Sequence, residues 1–349
     1  DTPPVVVLYG LYINGSATPF SGLDSKGLLA VTRNEDTQED SSSLFEIYMA
    51  LKGNEEFNIT QVEGATQTVW GPGGDFGEVA EPDTDEPEVT FWRGSLIQTG
   101  DGFTVPNDGL YHVALDTELG IVVVVPVEYW ALRGAATPGG WDNDTKLMSG
   151  GFDMNTMTFS LEGVEMTKAD FKFRYSGGWK VFIDGDVDLG GGVIGVKVNT
   201  NFGEAVDNLV EGGANIVNTE SGVYTVEMTW TLGEGYTATM TKTGDLEVVD
   251  YTDVELGLVG DGLVVGSVQH NWDETIMLMT PAVENENEYT WTYASVEITT
   301  AGSFKIRQGQ DWSGYSFGFN DVTMLGLAAD KFATNDDGNF VPLEDGVFD

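Results

Sequence analysis

The chain has 349 residues, of which 41% are hydrophobic, and its 57 acidic and 15 basic residues give a net charge of -42. This length is enough for two or three domains with sizeable cores. The charge argues against binding of DNA, RNA or an anionic membrane surface, because the phosphates would be repelled. We interpret the acidity as a solubility feature suited to a salty habitat, where screening weakens self-repulsion, with a calcium-rich protein as the alternative.

The chain contains no cysteine, which excludes disulfides, zinc-thiolate sites and a cysteine nucleophile. No run of about 18 apolar residues is present, so no membrane span is predicted. The opening residues 1–4, Asp-Thr-Pro-Pro, are typical of a linker. We therefore expect the chain to have been trimmed from a longer precursor.

Short runs with a period of two follow one another along the chain, separated by turn clusters rich in Gly, Asn and Asp. The clearest of these runs are residues 57–60, 158–161, 171–174, 224–228 and 304–307. Residues 121–125 are continuously apolar and are typical of a buried strand. Many short strands with frequent turns predict an all-β protein built from antiparallel β-sandwiches in tandem.

Four landmarks recur along the chain and indicate an internal repeat. The first is a strand that ends in a small-residue turn, at 8–18, 130–137 and 256–260. The second is a Trp-Asp pair, at 141–142 and 272–273. The third is an alternating strand followed by a tryptophan, at 57–70, 171–179 and 304–312. The fourth is a strand that starts with glycine and reaches an aromatic residue, at 108–111, 221–224 and 345–348.

The copies lie about 115 to 130 residues apart, a period that suits complete domains in tandem. We predict three modules, at residues 1–126, 127–251 and 252–349. In the first two modules, the strand of the fourth landmark is followed by a second strand that completes a hairpin. In the third module, Asp349 is reached at the start of the strand of the fourth landmark. We therefore expect the third module to lack its last strands and to have an open sheet edge.

Basic residues are scarce, which makes their positions informative. Four of the fifteen form two Lys-x-Arg pairs at the same repeat position, Lys172 with Arg174 and Lys305 with Arg307. Residues i and i+2 of a strand share a face, so each pair is expected on the open face while Phe173 and Ile306 point into the core.

A tryptophan precedes and another follows each basic pair, namely Trp141 and Trp179 in the second module and Trp272 and Trp312 in the third. Sugars have apolar C–H faces and hydroxyl groups, so indole rings can stack on them while Lys and Arg donate hydrogen bonds. These eight residues predict two glycan-binding sites. The alternative is that the tryptophans fill the cores and the basic pairs only balance local acid.

The first module departs from this pattern. Asn58 and Thr60 stand where the other modules have Lys and Arg, although Trp70 remains and Trp92 and Arg93 lie elsewhere. We expect its site to be lost or altered.

Catalysis finds little support in the sequence. The two histidines, His112 and His270, fall in different modules, and no G-x-S-x-G motif is present. We interpret His112 as structural and His270 as a loop residue that borders the third module's site. Chance carboxylate pairs are so common among 57 acids that they cannot identify a glycosidase. We predict a protein that is not an enzyme.

A metal site is also a weak prediction. Residues 184–190 have the D-x-D-x-D spacing of a calcium loop, but Leu189 stands where such loops have glycine and Gly195 where they have glutamate. We interpret the segment as an acidic hairpin and residues 335–339 as a turn. No cofactor is predicted, with calcium as the weaker alternative.

Residues 129–184 and 256–319 resemble the carbohydrate-binding modules of SusE/SusF-type proteins, which are surface glycan-binding lipoproteins of Bacteroidota. The shared motifs are Trp130-x-x-x-Gly134, Gly140–Asp142, residues 171–174 and Gly178–Trp179. The resemblance is close in the second and third modules and loose in the first. It implies an immunoglobulin-like or carbohydrate-binding-module-like sandwich and no catalytic activity.

Several further expectations come from the resemblance alone. Members are tethered to the outer membrane by a lipidated N-terminal cysteine and are encoded with a SusC/SusD-type glycan importer. Their modules hold α-glucan with tryptophans and Lys/Arg donors, which correspond here to Trp141, Lys172, Arg174, Trp179, Trp272, Lys305, Arg307 and Trp312. The lipidated cysteine and the family's N-terminal immunoglobulin-like domain have no counterpart in this sequence, so membrane attachment would need an anchor that the chain does not contain.

Three functions remain open from the sequence. The first is non-catalytic binding of a polysaccharide at the cell surface, with a starch-like α-glucan as the first candidate and laminarin or another algal glycan as the next. The second is a structural or adhesive surface protein that assembles by β-strand complementation. The third is a fragment of a glycoside hydrolase.

Overall fold

The computed structural model describes residues 7–246, 249–285, 288–325 and 330–349. The linker predicted at residues 1–4 lies outside the described residues. In the part that is described, the chain is almost entirely antiparallel β structure, with short 3-10 helices at Ser25–Gly27 and Phe319–Asp321. The all-β prediction is thereby confirmed. Those residues include no helix with the length and apolar character needed to span a bilayer.

The chain divides into two compact units, one ending at Leu246 and the other beginning at Glu247. The first unit contains two of the three predicted modules, and the second unit corresponds to the third. The division of the first unit at residue 126 stays a prediction.

The first ten strands form one sheet of the first unit. They are β1 Tyr9–Asn14, β2 Ala30–Asn34, β3 Glu39–Leu51, β4 Glu56–Glu63, β5 Thr66–Pro72, β6 Gly77–Glu78, β7 Trp92–Gln98, β8 Phe103–Thr104, β9 Gly109–Asp116 and β10 Ile121–Pro126. The order is β1-β4-β5-β7-β10-β9-β3-β2, with β6 paired to β7 and β8 to β4.

Strand β10 shows how local sequence sets this sheet. Its four consecutive valines are β-branched and fully buried, which confirms the buried strand predicted at 121–125. The turn before it is built by Asp116, whose carboxylate accepts hydrogen bonds from the backbone N–H groups of Glu118 and Leu119, and by Gly120 at φ +64°.

Eleven further strands complete the first unit. They are β11 Trp130–Arg133, β12 Thr145–Phe152, β13 Thr156–Met166, β14 Asp170–Tyr175, β15 Lys180–Gly190, β16 Val193–Asn199, β17 Asn201–Ala205, β18 Asn208–Glu211, β19 Ile216–Val217, β20 Gly222–Thr231 and β21 Gly235–Gly244. The second sheet has the order β18-β17-β14-β11-β12-β13-β20-β21, with β19 paired to β14. Strands β15 and β16 form a separate hairpin, which includes the segment 184–190.

One hydrophobic core runs through the first unit, from Leu11 in the first sheet to Leu232 in the turn between β20 and β21 of the second. A polar chain crosses it between the sheets. His112 of β9 contacts the Glu46 carboxylate through Nε2 at 2.7 Å and the Tyr175 hydroxyl through Nδ1 at 2.8 Å, while Thr32 donates a hydrogen bond to Glu211. This confirms that His112 is a buried structural residue.

Burial perturbs the acids and bases of this chain of contacts. It lowers the pKa of His112 to about 4 and raises the pKa of Glu46 above its usual range. The pKa of Glu211 is raised further, because the residue is buried and lies next to Glu46. Burial at the junction between the two sheets therefore favours the neutral form of His112 and disfavours the charged forms of Glu46 and Glu211.

Among its described residues, the second unit has twelve short strands. They are β22 Leu256–Val259, β23 Leu263–Val265, β24 Val268–Gln269, β25 Ile276–Met279, β26 Ala282–Asn285, β27 Glu288–Thr290, β28 Val296–Ile298, β29 Lys305–Gln308, β30 Ser316–Phe317, β31 Phe332–Thr334, β32 Phe340–Pro342 and β33 Gly346–Phe348. Two four-stranded sheets have the orders β25-β22-β29-β30 and β24-β23-β28-β33, and β26-β27 and β31-β32 are hairpins. Its core is small, with Leu258, Leu263, Ile298, Phe304 and Phe340 at the centre.

The two units repeat one arrangement of strands. The order β12-β11-β14-β17 in the first unit matches the order β25-β22-β29-β30 in the second. The strand register matches too, since Ala131 lies opposite Arg174 in the first unit and Gly257 lies opposite Arg307 in the second. The first sheet keeps β1-β4-β5 of this arrangement but pairs β1 with no strand on its other side.

The small-residue turn of the first landmark has a structural cause. Gly15, Gly134 and Gly260 all have a positive φ, of +135°, +152° and +144°. A Cβ at these positions would collide with the carbonyl oxygens of Glu56, Asp170 and Ser303, respectively. Glycine is thus required where the first strand of each copy turns across the alternating strand.

Candidate functional site

The predicted site of the first unit is formed by Trp141, Lys172, Arg174 and Trp179, and we call it the Arg174 site. Its two indole rings lie with their centroids 6.2 Å apart at an interplanar angle of 38°. Trp141 is 41% exposed and Trp179 is half-buried. The pair therefore offers a partly open aromatic surface.

Arg174 lies beneath Trp179, with its guanidinium carbon 4.9 Å from the ring centroid. Its Nε donates a hydrogen bond to Asp144 at 2.7 Å, and Arg133 contacts the same carboxylate oxygen at 3.1 Å. Arg133 also donates from Nε to the carbonyl of Trp141 at 2.8 Å, which fixes the loop that carries this tryptophan. Asp144 thus holds two guanidinium groups in place under the aromatic pair.

Lys172 and Trp179 share one support, Asn201 of β17. The Lys172 ammonium donates to the Asn201 side-chain oxygen at 3.0 Å, and the Asn201 amide donates to the Trp179 carbonyl at 2.8 Å. Burial lowers the pKa of Lys172. The backbone N–H of Trp179 donates to the carbonyl of Asp85, so a loop from the first sheet also positions this ring.

The predicted site of the second unit is formed by Trp272, Lys305, Arg307 and Trp312, and we call it the Arg307 site. The centroids of its indole rings are also 6.2 Å apart, at an interplanar angle of 31°. The Arg307 guanidinium carbon lies 4.5 Å from the centre of the Trp312 ring, and Trp312 is 51% exposed. The geometry of the Arg174 site is therefore reproduced.

The polar partner of the arginine differs between the two sites. Arg307 Nε donates to the hydroxyl of Thr275 at 2.7 Å, and Gln310 holds the backbone of Thr275 at both its N–H and its carbonyl. Arg307 is 1% exposed, and its Nη2 finds no hydrogen-bond acceptor within the described residues. Lys305 is half-buried and has no ion pair or hydrogen bond in that part of the chain.

One feature of the prediction was wrong. Both arginines were expected on an open face, but Arg174 is 5% exposed and Arg307 is 1% exposed. The tryptophan in the following loop covers each guanidinium, so the exposed part of the site is the indole pair. The tryptophans are not core residues, which removes the simplest structural alternative for these positions.

The first module has no equivalent arrangement. Asn58 donates to the carbonyls of Trp70 and Asp101, and Thr60 donates to the side chain of Asn14. Trp70 lies within β5 rather than in a loop, and its N–H donates to Gln61 at 3.0 Å.

The remaining candidate residues are also placed. His270 is exposed in part, and its Nε2 contacts the carbonyl of Glu274 at 2.8 Å, in the loop that carries Trp272. No group of three or more His, Asp or Glu side chains able to hold a metal ion occurs among the described residues. The predicted turn at 335–339 is present, with Asn335 accepting hydrogen bonds from the backbone of Asp337 and Asn339.

Sequence reasoning missed the residues that support the two sites. Asp144 and Thr275 each follow the first tryptophan by three positions, so the repeat spacing could have identified them. Arg133 lies in the first landmark and could have been found in the same way. Asn201 and Asp85 carry no local signal, because they reach the site only through the folded arrangement of sheets.

Comparisons with known proteins add one structural neighbour. No protein-family model and no curated protein matches the chain. Among solved structures, the crystal structure of SusF from Bacteroides thetaiotaomicron is matched at 15% sequence identity and a TM-score of 0.23. The match covers 87% of this chain and 61% of that chain, so the chain spans less than two thirds of the length of that protein.

Proposed function

We propose that this protein is a non-catalytic surface protein of the SusE/SusF type, which binds a polysaccharide through the Arg174 and Arg307 sites. The observation that carries the proposal is the repeated geometry of the two sites. In each, two indole rings lie with centroids 6.2 Å apart, and the ring of the second tryptophan, Trp179 or Trp312, lies over a buried arginine.

This arrangement of indole rings and a lysine suits a sugar ligand. A partly exposed indole surface can stack on the C–H face of a pyranose ring, and the Lys305 ammonium is free to donate to hydroxyl groups. A cation beneath an indole also fixes the ring, so little side-chain freedom is lost on binding. Starch-like α-glucan is the first candidate ligand, and laminarin or another algal glycan is the next.

The cellular role follows from the resemblance in the two modules. We propose that the protein is held at the outer face of the outer membrane by a lipid anchor, and that it delivers glycan to a SusC/SusD-type importer. Single sites of this kind bind weakly, and two sites linked in one chain gain affinity for a long polymer through effective concentration.

Affinity electrophoresis across a panel of polysaccharides tests this proposal. We expect at least one neutral glucan to retard the protein, and Trp179→Ala and Trp312→Ala each to reduce that retardation while leaving the fold intact. Trp70→Ala is the matched control, since Trp70 is a half-buried tryptophan outside both sites. If no polysaccharide retards the parent protein, the proposal fails. Release of reducing sugar from the retarding glycan would instead favour a glycoside hydrolase.

A second candidate function, assembly by strand complementation, rests on a different observation. The second unit has an open apolar groove of about 470 Å³, whose lining includes Leu258, Ile298, Phe304, Phe332 and Phe348. A strand with alternating apolar residues from another copy of the chain would fill it. Sedimentation analysis decides this alternative, because a monomeric mass at all concentrations, with a folded second unit, would contradict it.

A further inference from the structure

We propose that a groove beside Trp92 in the first unit is a third carbohydrate-binding site, one that takes a neutral oligosaccharide without any Lys or Arg. The groove has a volume of about 490 Å³, within the range of ligand sites in proteins. Its walls come from the starts of β7 and β9, from the loop before β9 and from residues 126–128. It is separate from the Arg174 and Arg307 sites, and none of their eight residues lines it.

Trp92 supplies the stacking surface. It is half-buried, and within the described residues its indole has neither a hydrogen bond nor an aromatic ring contact, although its backbone pairs with β6 and β10. Trp70, on the neighbouring strand β5, shows the opposite behaviour, since its N–H is taken by Gln61. The indole of Trp92 therefore has an unused donor beside a surface that can stack on a sugar ring.

The floor of the groove is apolar and rigid. Leu110, Val127 and Met157 are 1%, 2% and 8% exposed, and the backbone N–H of Val127 donates to the carbonyl of Leu110 at 2.8 Å. These side chains expose little surface themselves, and they form the base of the groove beside Trp92, which packs against the same core and offers its ring to a pyranose. This base stays in place without a ligand because it belongs to the main core of the unit.

The rim supplies hydrogen-bond acceptors. Glu78, Asp108 and Glu128 are all exposed and lack a salt-bridge partner in the described residues. One oxygen of Asp108 accepts from the backbone N–H of Gly53, which fixes the side chain and leaves the other oxygen free. Carboxylates accept hydrogen bonds from hydroxyl groups, and they repel an anionic sugar. No Lys, Arg or His lines the groove, so the chemistry selects a neutral glycan.

Fluorine NMR on protein labelled with 5-fluorotryptophan tests the proposal, because it reports on each of the nine tryptophans. A Phe substitution at each position in turn assigns the resonances of Trp70, Trp92, Trp179 and Trp312. We expect maltohexaose or laminarihexaose to shift the Trp92 resonance in a saturable way, while that of Trp70 stays fixed. Glu128→Gln, a conservative change at an exposed position, should raise the half-saturation concentration about fivefold through one weakened hydrogen bond.

The outcomes separate this proposal from the proposed function. Shifts at Trp179 and Trp312 with no shift at Trp92 overturn the third site and leave the first two standing. A shift at Trp92 alone supports the third site and contradicts the other two. A shift of the Trp92 resonance with an oligouronate, at the same concentration, overturns the assignment to neutral glycans. If the half-saturation concentration is unchanged in Glu128→Gln, the carboxylate of Glu128 does not bind the sugar.

Discussion

The Arg174 and Arg307 sites share one frame but differ in the group that holds the arginine. In the first, Arg174 is paired with the carboxylate of Asp144, and in the second, Arg307 is bonded to the hydroxyl of Thr275. The spacing of the indole rings is the same in both, at 6.2 Å. The position of the tryptophans thus depends on the strand register and on the arginine beneath them, and not on the partner of that arginine.

The difference has an energetic consequence. Asp144 accepts from two guanidinium groups and is itself 8% exposed, so its loss would leave buried charge without compensation. Thr275 takes only one hydrogen bond from Arg307, whose Nη2 has no partner in the described residues. We therefore expect the Arg174 site to be the more rigid of the two, and the Arg307 site to have more hydrogen-bond donors without an acceptor.

The largest expected effect is on the stability of the first unit. Asp144→Ala should lower its free energy of unfolding by about 3 kcal/mol, since the buried guanidinium of Arg174 and the half-buried one of Arg133 lose their counter-charge. Thr275→Ala, the matched change in the second unit, should cost about 1 kcal/mol. Hydrogen exchange followed by mass spectrometry across a urea gradient measures each unit separately. Equal losses in the two units would show that the carboxylate has no special role.

A pH effect should also distinguish the two units. The pKa of His112 is lowered to about 4, so its contribution to stability is present above its unfolded value and is lost as the pH falls toward 4. The pKa values of Glu46 and Glu211 are raised, so their contribution is present below their unfolded values and is lost as the pH rises. The first unit should therefore lose stability as the pH falls toward the pKa of His112, and again as the pH rises above the unfolded pKa values of the two carboxyls.

Glu211→Gln tests the origin of this pH effect. The amide cannot ionise, so the first unit should weaken less as the pH rises, when its unfolding is followed by hydrogen exchange across a pH series. The second unit has no buried histidine in its described residues, and its own profile in the same experiment is the internal control. An unchanged profile of the first unit in Glu211→Gln would locate the pH effect elsewhere.

A smaller effect is expected when the partner of Arg174 is transferred to the second unit. Thr275→Asp places a carboxylate where the repeat has Asp144, and Arg307 should then form the missing ion pair. We expect a gain of about 1 kcal/mol in the free energy of unfolding of the second unit, because the desolvation of the carboxylate offsets part of the attraction. A loss of stability would show that the site cannot accommodate the carboxylate.

The smallest effect concerns the lysines. Lys172 already donates to Asn201, whereas Lys305 has no such partner in the described part of the chain. Lys305→Met should weaken glycan binding at the Arg307 site about threefold, and Lys172→Met should weaken binding at the Arg174 site by less than about twofold. Calorimetric titration of each variant measures both. The opposite order would contradict the interpretation of Lys305 as the free donor.

Some of this organisation can be read from the sequence because it depends on local pattern. Alternation predicts β14 and β29, and the common spacing of the Lys-x-Arg pairs and tryptophans predicts that the two sites share a frame. The burial of Arg174 and Arg307 could not be predicted, because it depends on where the following loop places Trp179 and Trp312. Spacing alone also could not show that Trp70 lies within a strand, since a loop and a strand can contain the same number of residues.

The proposed function places one glycan site on the tryptophan pair of each compact unit, apart from the groove beside Trp92. Calorimetric titration with an oligosaccharide of the retarding glucan tests it most directly, using Trp179→Ala, Trp312→Ala and the double variant. The account predicts that each single change lowers the stoichiometry by one site per chain and leaves the Kd of the other site unchanged, and that the double change removes both sites. Unchanged stoichiometry in either single variant would contradict it.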